Sequence, residues 1–449
     1  MRNLIFALSR ILLGYYKGDL ISMVSSTSKL AGVAILCILL GFAVGYGTNA
    51  LMMPTTPTAT QTQNVIKIGA ILELSGSQSF LGLKEEHAMQ LAVDETNRNL
   101  ANAGSKLQFE LVIQDSKTDP DAAKTAYQTL AASGIQLVVG FAMSSQLAQV
   151  IPFAAQDKVV VISSSSTSSA LAIDKPYVYR MSGTDFDTGR ALATLLNSRG
   201  YKYTVIIYKQ DTWGSSTSAL VAQEFQKYGG QSQLVGFPAT GYSMSGIAAT
   251  ASDAVSKYVS EHGSESVAVT GLVNEEDGIA LAVAASSYPA LSSVNWVEAQ
   301  GQTGSTATIE NPTASAFLQK VNLLSLSYDF NRLNPAYVAF AQAAKNANYE
   351  DALVGEAPYS YDAVQLGMLA ICIAGNNGPA INAVLPDLAA HYNGVTGGKT
   401  LNNVHDQLYQ DWGVAGFQTY NGKVDWWRVG IWTASTNTIT WFANPEPPT

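Results

Sequence analysis

From Val65 onward the chain repeats one device, a short apolar run followed by a segment of helical spacing, renewed about every 30–40 residues. Strands that alternate with helices in this way predict a parallel sheet joined by helical crossovers. In the first series VIKIGAIL (65–72) leads through LSGSQSFLG to a helix near Glu85–Leu100. LQFELVIQD (107–115) then leads to DPDAAKTAYQTLAAS, and IQLVVG (135–140) to SSQLAQVIPFAAQD, before KVVVIS (158–163). Asp119, Pro120 and Asp121 make a sound helix start. A second series follows MSGTDFD: Asp187 opens a helix, then come YTVIIY (203–208), helix 214–228, QLVGF, helix 246–262, SVAVTG (266–271), helix 275–286 and VNWVEA. Two series of similar length and order predict two doubly wound lobes in succession. Beyond Pro312 the spacing is helical over Asn334–Asn348, Ser360–Ala374 and Ala380–Tyr392. The tail GVAGFQTYNGKVDWWRVGIW reads as two strands joined by an Asn421-Gly422 turn.

The 449 residues suffice for two domain-sized cores, and the 47% hydrophobic content is that of a globular chain. With 34 acids against 25 bases and a net charge of -9, the chain has no basic patch, which excludes nucleic acid as a partner. Only 13% of residues are charged, so Ser, Thr, Asn and Gln must cover much of the surface. The two cysteines form no framework, because Cys37 lies in an apolar span and Cys372 in the helical run LGMLAICIAG.

Leu30 to Met53 carries no charged residue and is long enough to cross a hydrocarbon core of about 30 Å as one transmembrane helix. A cleaved signal peptide is the alternative, though its apolar run is normally shorter. Arg2, Arg10, Lys17 and Lys29 precede the span and the next base is Lys67, so the N-terminal segment 1–29 is expected in the cytoplasm and the rest outside. Translation from Met23 would shorten that segment. Pro54 to Gln63, PTTPTATQTQ, has the composition of an extended spacer.

The segments IGAILELSGSQSFLG, IQDSKTDPDAAKTA, VVGFAMSSQ, VVVISSSSTSSAL, IIYKQDTWG, YSYDAVQLGMLA and GVAGFQTYNGKVDWW, in this order and spacing, resemble the branched-chain amino-acid-binding proteins, the type I periplasmic binding proteins of ABC transporters. The resemblance covers about 65–435. It implies an α/β fold of two doubly wound parallel-sheet lobes joined by a three-strand hinge, here preceded by the transmembrane helix. Lobe 1 would hold 64–185 and 328–415, and lobe 2 would hold 186–327 and 416–449. The function implied is extracytoplasmic capture of a small amino-acid-like solute between the lobes and delivery to a membrane permease, with no cofactor.

Ser144 follows one strand and opens a helix, where free N–H groups and the dipole favour an anion; Ser165, Ser166 and Thr167 repeat the arrangement one strand later. By resemblance Ser144, Ser165 and Thr167 fall on the family's carboxylate and ammonium contacts, and Trp213 on an aromatic that closes over the ligand. The family's ammonium-binding acid aligns with Gln300, while Glu298 shares its face two residues earlier, so either the register shifts or the site prefers an amide. Val273 and Asn274 are further cleft candidates, and Leu81 stands where the family often has an aromatic. GGKT at 397–400 lacks the first glycine and preceding strand of a phosphate loop, the four histidines are isolated, and GYSMSG is no nucleophile elbow, so neither metal nor enzymatic chemistry is expected. A receptor ectodomain on the same fold is the alternative.

Overall fold

The computed structural model describes residues 64–447. The expected membrane span 30–53, its cytoplasmic segment, its spacer and Cys37 lie outside the described residues. Among the described residues no single helix is long and apolar enough to cross a membrane. Both sheets and the site belong to one compact unit, Asn64–Asn97 with Leu107–Thr449; Arg98–Lys106 groups apart, and there Gly104 at φ +75 donates its N–H to the Ala101 carbonyl.

The first series becomes β1 (Asn64–Leu72), β2 (Leu107–Asp115), β3 (Leu137–Gly140), β4 (Val160–Ser163) and β5 (Val178–Gly183), all parallel in the order β2-β1-β3-β4-β5. The second becomes β6 (Tyr203–Gln210), β7 (Gln231–Pro238), β8 (Val267–Leu272), β9 (Asn295–Glu298) and β10 (Leu324–Tyr328), parallel in the equivalent order β7-β6-β8-β9-β10. The same doubly wound order is therefore built twice, each time with a switch point beside its first strand. Then β11 (Asn393–Gly394) and β12 (Gly397–Gly398) form a small hairpin, and β13 (Asp406–Gln407) joins β5. β14 (Trp412–Tyr420), β15 (Lys423–Thr433) and β16 (Thr438–Glu446) extend the second sheet antiparallel from β10. The chain passes between the sheets three times, after β5, β10 and β13. The expected lobe division at 415/416 falls inside β14.

Local chemistry explains many boundaries. Asp119 accepts the Ala122 N–H at 2.7 Å to start helix Pro120–Ala132, and Asp211 accepts the Gly214 N–H at 2.7 Å to start helix Thr212–Lys227. Asn421 (φ +51) and Gly422 (φ +78) make the β14–β15 turn, where both central residues need positive φ. Gly140 ends β3 at φ +111, where a Cβ would lie 2.1 Å from the Ile71 carbonyl oxygen; only glycine lets the strand turn out here against β1.

Helices cover both faces of each sheet. Ile71, Val138 and Val161 pack with Tyr127, Leu130, Leu147 and Val150 in the first core, and Val205, Val269 and Trp296 with Phe317, Phe417 and Trp426 in the second. Four elements were not legible as apolar runs. β5 contains Arg180, wholly buried; β10 alternates leucine with serine; helix Pro312–Lys320 is short; and β16 is an edge strand with most side chains outward. The helix expected from Asp187 begins at Asp185, and the one expected from Ser360 begins at Ala357.

Candidate functional site

The carboxyl ends of parallel strands from both sheets converge on one cavity. Its walls take Gln78, Phe80 and Leu81 after β1, Ala142–Ser145 after β3, and Ser165 and Thr167 after β4. The second sheet contributes Asp211 and Trp213 after β6, Asn274 after β8, Gln300–Thr303 after β9, and Tyr328 at the end of β10. This is where open α/β sheets leave unpaired N–H groups and room for a ligand. The cavity leaves about 70 Å³ of free space.

The loop after β4 is a fixed polar shelf. Ser163 to Ser168 are all buried. Ser164 Oγ donates to Glu85 Oε1 at 2.8 Å, and Ser163 Oγ donates to the Phe141 carbonyl at 3.0 Å. Ser144, the first residue of helix Ser144–Asp157, accepts at its Oγ from Ser166 Oγ–H (3.0 Å) and from the Ser168 N–H (3.2 Å). Both acceptor positions of that hydroxyl are thereby filled, which leaves its proton to donate into the cavity beside the first N–H groups of the helix. That corner suits a carboxylate.

The shelf is held from below by a buried charge cluster. Arg180 Nη1 donates to the Ser168 carbonyl at 2.7 Å, and Arg180 forks onto Asp406 with two 2.6 Å bonds. Lys175 Nζ meets the same carboxylate at 2.6 Å, and none of the three side chains is exposed. Burial lowers the Lys175 pKa, opposed by Asp406. Sequence reasoning missed this cluster because its parts lie more than two hundred positions apart.

Trp213 reaches the cavity from the second sheet. Its Nε1–H donates to Asp185 Oδ1 at 3.3 Å; Asp185 also accepts from Thr217 Oγ1 at 2.7 Å, and its own N–H donates to the Thr167 carbonyl at 2.8 Å. Burial raises the Asp185 pKa, and the hydroxyls of Thr217 and Thr167 oppose the shift. Thr167, whose hydroxyl donates there, keeps the acceptor capacity of its oxygen. Ser168 Oγ further donates to the Thr212 carbonyl at 2.9 Å and meets Ser216 Oγ at 2.8 Å, so loop and helix touch directly.

Of the residues singled out from sequence, Leu81, Ser144, Ser165, Thr167, Trp213, Asn274 and Gln300 line the cavity, whereas Val273 and Glu298 do not. Val273, 2% exposed, points into the second core. Glu298, 2% exposed, lies beneath the wall and accepts from Gln302 Nε2 at 2.5 Å; burial pushes its pKa up to about 8. A register shift restoring Glu298 to the lining is thus absent, and Gln300 holds the place, with its Oε1 buried and unpartnered among the described residues. The aromatic that Leu81 lacks is supplied by its neighbour Phe80. Asp211, Tyr328 and Glu356 are lining residues that carry no sequence signal of their own beyond the Asp211 cap.

The chain matches the model of a family described as the receptor family ligand binding region over residues 84–411. It is 26% identical over 381 residues to the chemotactic signal transduction system substrate-binding protein BasB of Halobacterium salinarum, covering 79% of this chain and 88% of that one. An uncharacterized protein of Methanocaldococcus jannaschii is 28% identical over 198 residues; the match spans 43% of this chain and about half, 48%, of that relative. Among solved structures, a leucine binding protein from Thermotoga maritima superposes with a TM-score of 0.65 at 18% identity, over 85% of this chain and 99% of the other. An ABC transporter solute binding protein from R. palustris in complex with 4-hydroxybenzoate superposes with a TM-score of 0.69 at 16% identity, over 83% and 98%. Two repeated parallel sheets, three passages between them and a cavity at their facing strand ends make the type I periplasmic binding fold, and this chain belongs to the receptor family ligand binding region family.

Proposed function

We propose that this protein is the membrane-anchored, extracytoplasmic solute-binding component of an ABC transporter, which captures a small amino-acid-like solute and presents it to a permease. The observation that carries the reading is the cavity itself, lined by strand ends of both sheets. A solute there contacts both at once and so favours the arrangement in which they meet, the form a permease would recognise. Ser144 and the neighbouring N–H groups suit a carboxylate, Thr167 and Gln300 Oε1 accept from an ammonium, and Trp213, Phe80 and Leu81 give an apolar wall.

A calorimetric titration against amino acids, amides and small carboxylates tests it. Ser144→Ala and Thr167→Ala should each weaken binding of the accepted solute by about 1.5–3 kcal/mol, the range for hydrogen bonds to charged groups. Trp213→Ala should weaken binding through lost apolar contact and through the loss of its hydrogen bond to Asp185 Oδ1. Folded variants with unchanged affinity would remove the site assignment.

The charge asymmetry around 30–53 supports an outward-facing domain in this reading. Protease added to intact cells should then release a soluble fragment; resistance until lysis would reverse the topology.

A second reading, a sensory role, is favoured by the likeness to a chemotactic substrate-binding protein. The same capture of solute would serve a transducer in place of a permease. Deleting the chain should then abolish the response to the solute while its uptake continues.

A further inference from the structure

The cavity is electrostatically unbalanced. Its wall holds one base, Lys84, against two acids, Asp211 and Glu356. Lys84 Nζ lies 4.9 Å from the centre of the Phe80 ring, and its charge also bears on Glu356. Behind the wall stand two more carboxylates, Glu73 at the end of β1 and Glu85 on helix Ser79–Asn102, both wholly buried. Glu85 is raised by burial and then by Glu73 and Glu356, which places the three acids within each other's field.

The other bases near the site are spent elsewhere. Lys209 pairs with Asp277 at 2.9 Å, and Arg180 and Lys175 share Asp406. Lys84 is the base whose charge bears on Glu356, while Glu73 Oε1 and Oε2 and Glu85 Oε2 are buried without a partner among the described residues, and buried carboxyl oxygens left so are costly. Gln300 Oε1, buried in the same wall without a protein donor, is a further acceptor awaiting one. Burial favours the protonated forms of Glu73 and Glu85, so the acids a solute meets are those of the wall itself, Glu356 and Asp211. A cation on the solute, sharing Glu356 through charge-assisted hydrogen bonds, satisfies the group.

Resting on the reading of this cavity as the solute site, we propose that its solute carries a second positive group, so that basic amino acids are preferred to neutral or acidic ones. The carboxylate would lie at the Ser144 corner and the extra cation toward Glu356 and Asp211. Lys84 would line the apolar stem with its methylenes on the Phe80 side.

The test is calorimetric titration of the full chain with L-arginine, L-leucine and L-glutamate. Arginine should bind at least about tenfold more tightly than leucine, and glutamate most weakly, as expected for hydrogen bonds to a charged group. Glu356→Gln, nearly the same shape, should lower arginine affinity by about tenfold or more and leave leucine within roughly threefold. Asp211→Asn should act in the same direction, because its amide oxygen still accepts the Gly214 N–H and the helix start survives. Melting curves establish that each variant is folded. Leucine binding as tightly as arginine, with Glu356→Gln without effect on either, would overturn this inference and leave the solute-binding reading intact. Failure of all three amino acids to bind folded wild-type protein would overturn both.

Discussion

Asp406→Asn should destabilise the protein by about 3–5 kcal/mol, the cost of removing one partner from a buried ion pair. The substitution keeps the shape and removes the charge, which leaves Arg180 and Lys175 buried side by side with no carboxylate between them. Neither can reach water, since no part of either side chain is exposed. The damage should also reach the site, because Arg180 carries the Ser168 carbonyl and Ser168 in turn fixes Ser144 and Thr212. Solute affinity should therefore fall in a variant whose substitution lies outside the cavity lining. Lys175→Met is the control: it leaves the Arg180–Asp406 fork intact and removes a desolvated ammonium, so it should cost less. Urea unfolding followed by tryptophan fluorescence measures both. If Asp406→Asn unfolds at the wild-type midpoint, the cluster contributes nothing to stability.

The second large effect is a pH dependence centred on Glu298. Burial raises its pKa from 4.5 to about 8, opposed in part by the bond from Gln302. In the folded state the carboxyl therefore holds its proton between pH 4.5 and about 8, while in the unfolded chain it has lost it. The folded state binds the extra proton, so stability must fall as pH rises through this window. The contribution is fully present below the unfolded value and lost above the folded one, by up to ~1.4 kcal/mol per pH unit and a few kcal/mol in all. Glu73, raised to about 7 by burial, adds in the same sense. Glu298→Gln keeps an acceptor for Gln302 and has nothing to ionise. Compared with wild type it should be similar near pH 4 and more stable by on the order of a few kcal/mol near pH 9. Parallel stability curves across that range would show that Glu298 titrates as it does in water.

What the amino-acid sequence determined by itself was everything governed by neighbours in the chain. Apolar runs such as VIKIGAIL and YTVIIY fold as the first strands of two equivalent sheets, because a short run buried on both faces needs no distant information to be apolar. Asp119 and Asp211 cap helices, and Asn421-Gly422 turns a hairpin, through bonds and dihedrals spanning only a few residues. Since a ligand site in such sheets must lie at strand carboxyl ends, the loops after β1, β3, β4, β6, β8 and β9 could be searched in advance, and seven chosen residues line the cavity.

Tertiary structure decided the rest, and the reason is one of distance. Val273 and Glu298 lie close to lining residues in sequence yet are buried behind the wall, because β8 ends at Leu272 and β9 at Glu298, and the helical turn Gln300–Gln302 breaks the extended spacing that would keep Glu298 and Gln300 on one face. Arg180 made β5 unreadable as a strand, since a charge in an apolar run makes sense only with Asp406, 226 positions away, folded against it. Glu73, Glu85 and Glu356 likewise look like ordinary surface acids in the chain. Packing buries Glu73 and Glu85 and brings Glu85 within the influence of Glu73 and Glu356, and burial is a property of the packed sheets, which no local pattern of residues records.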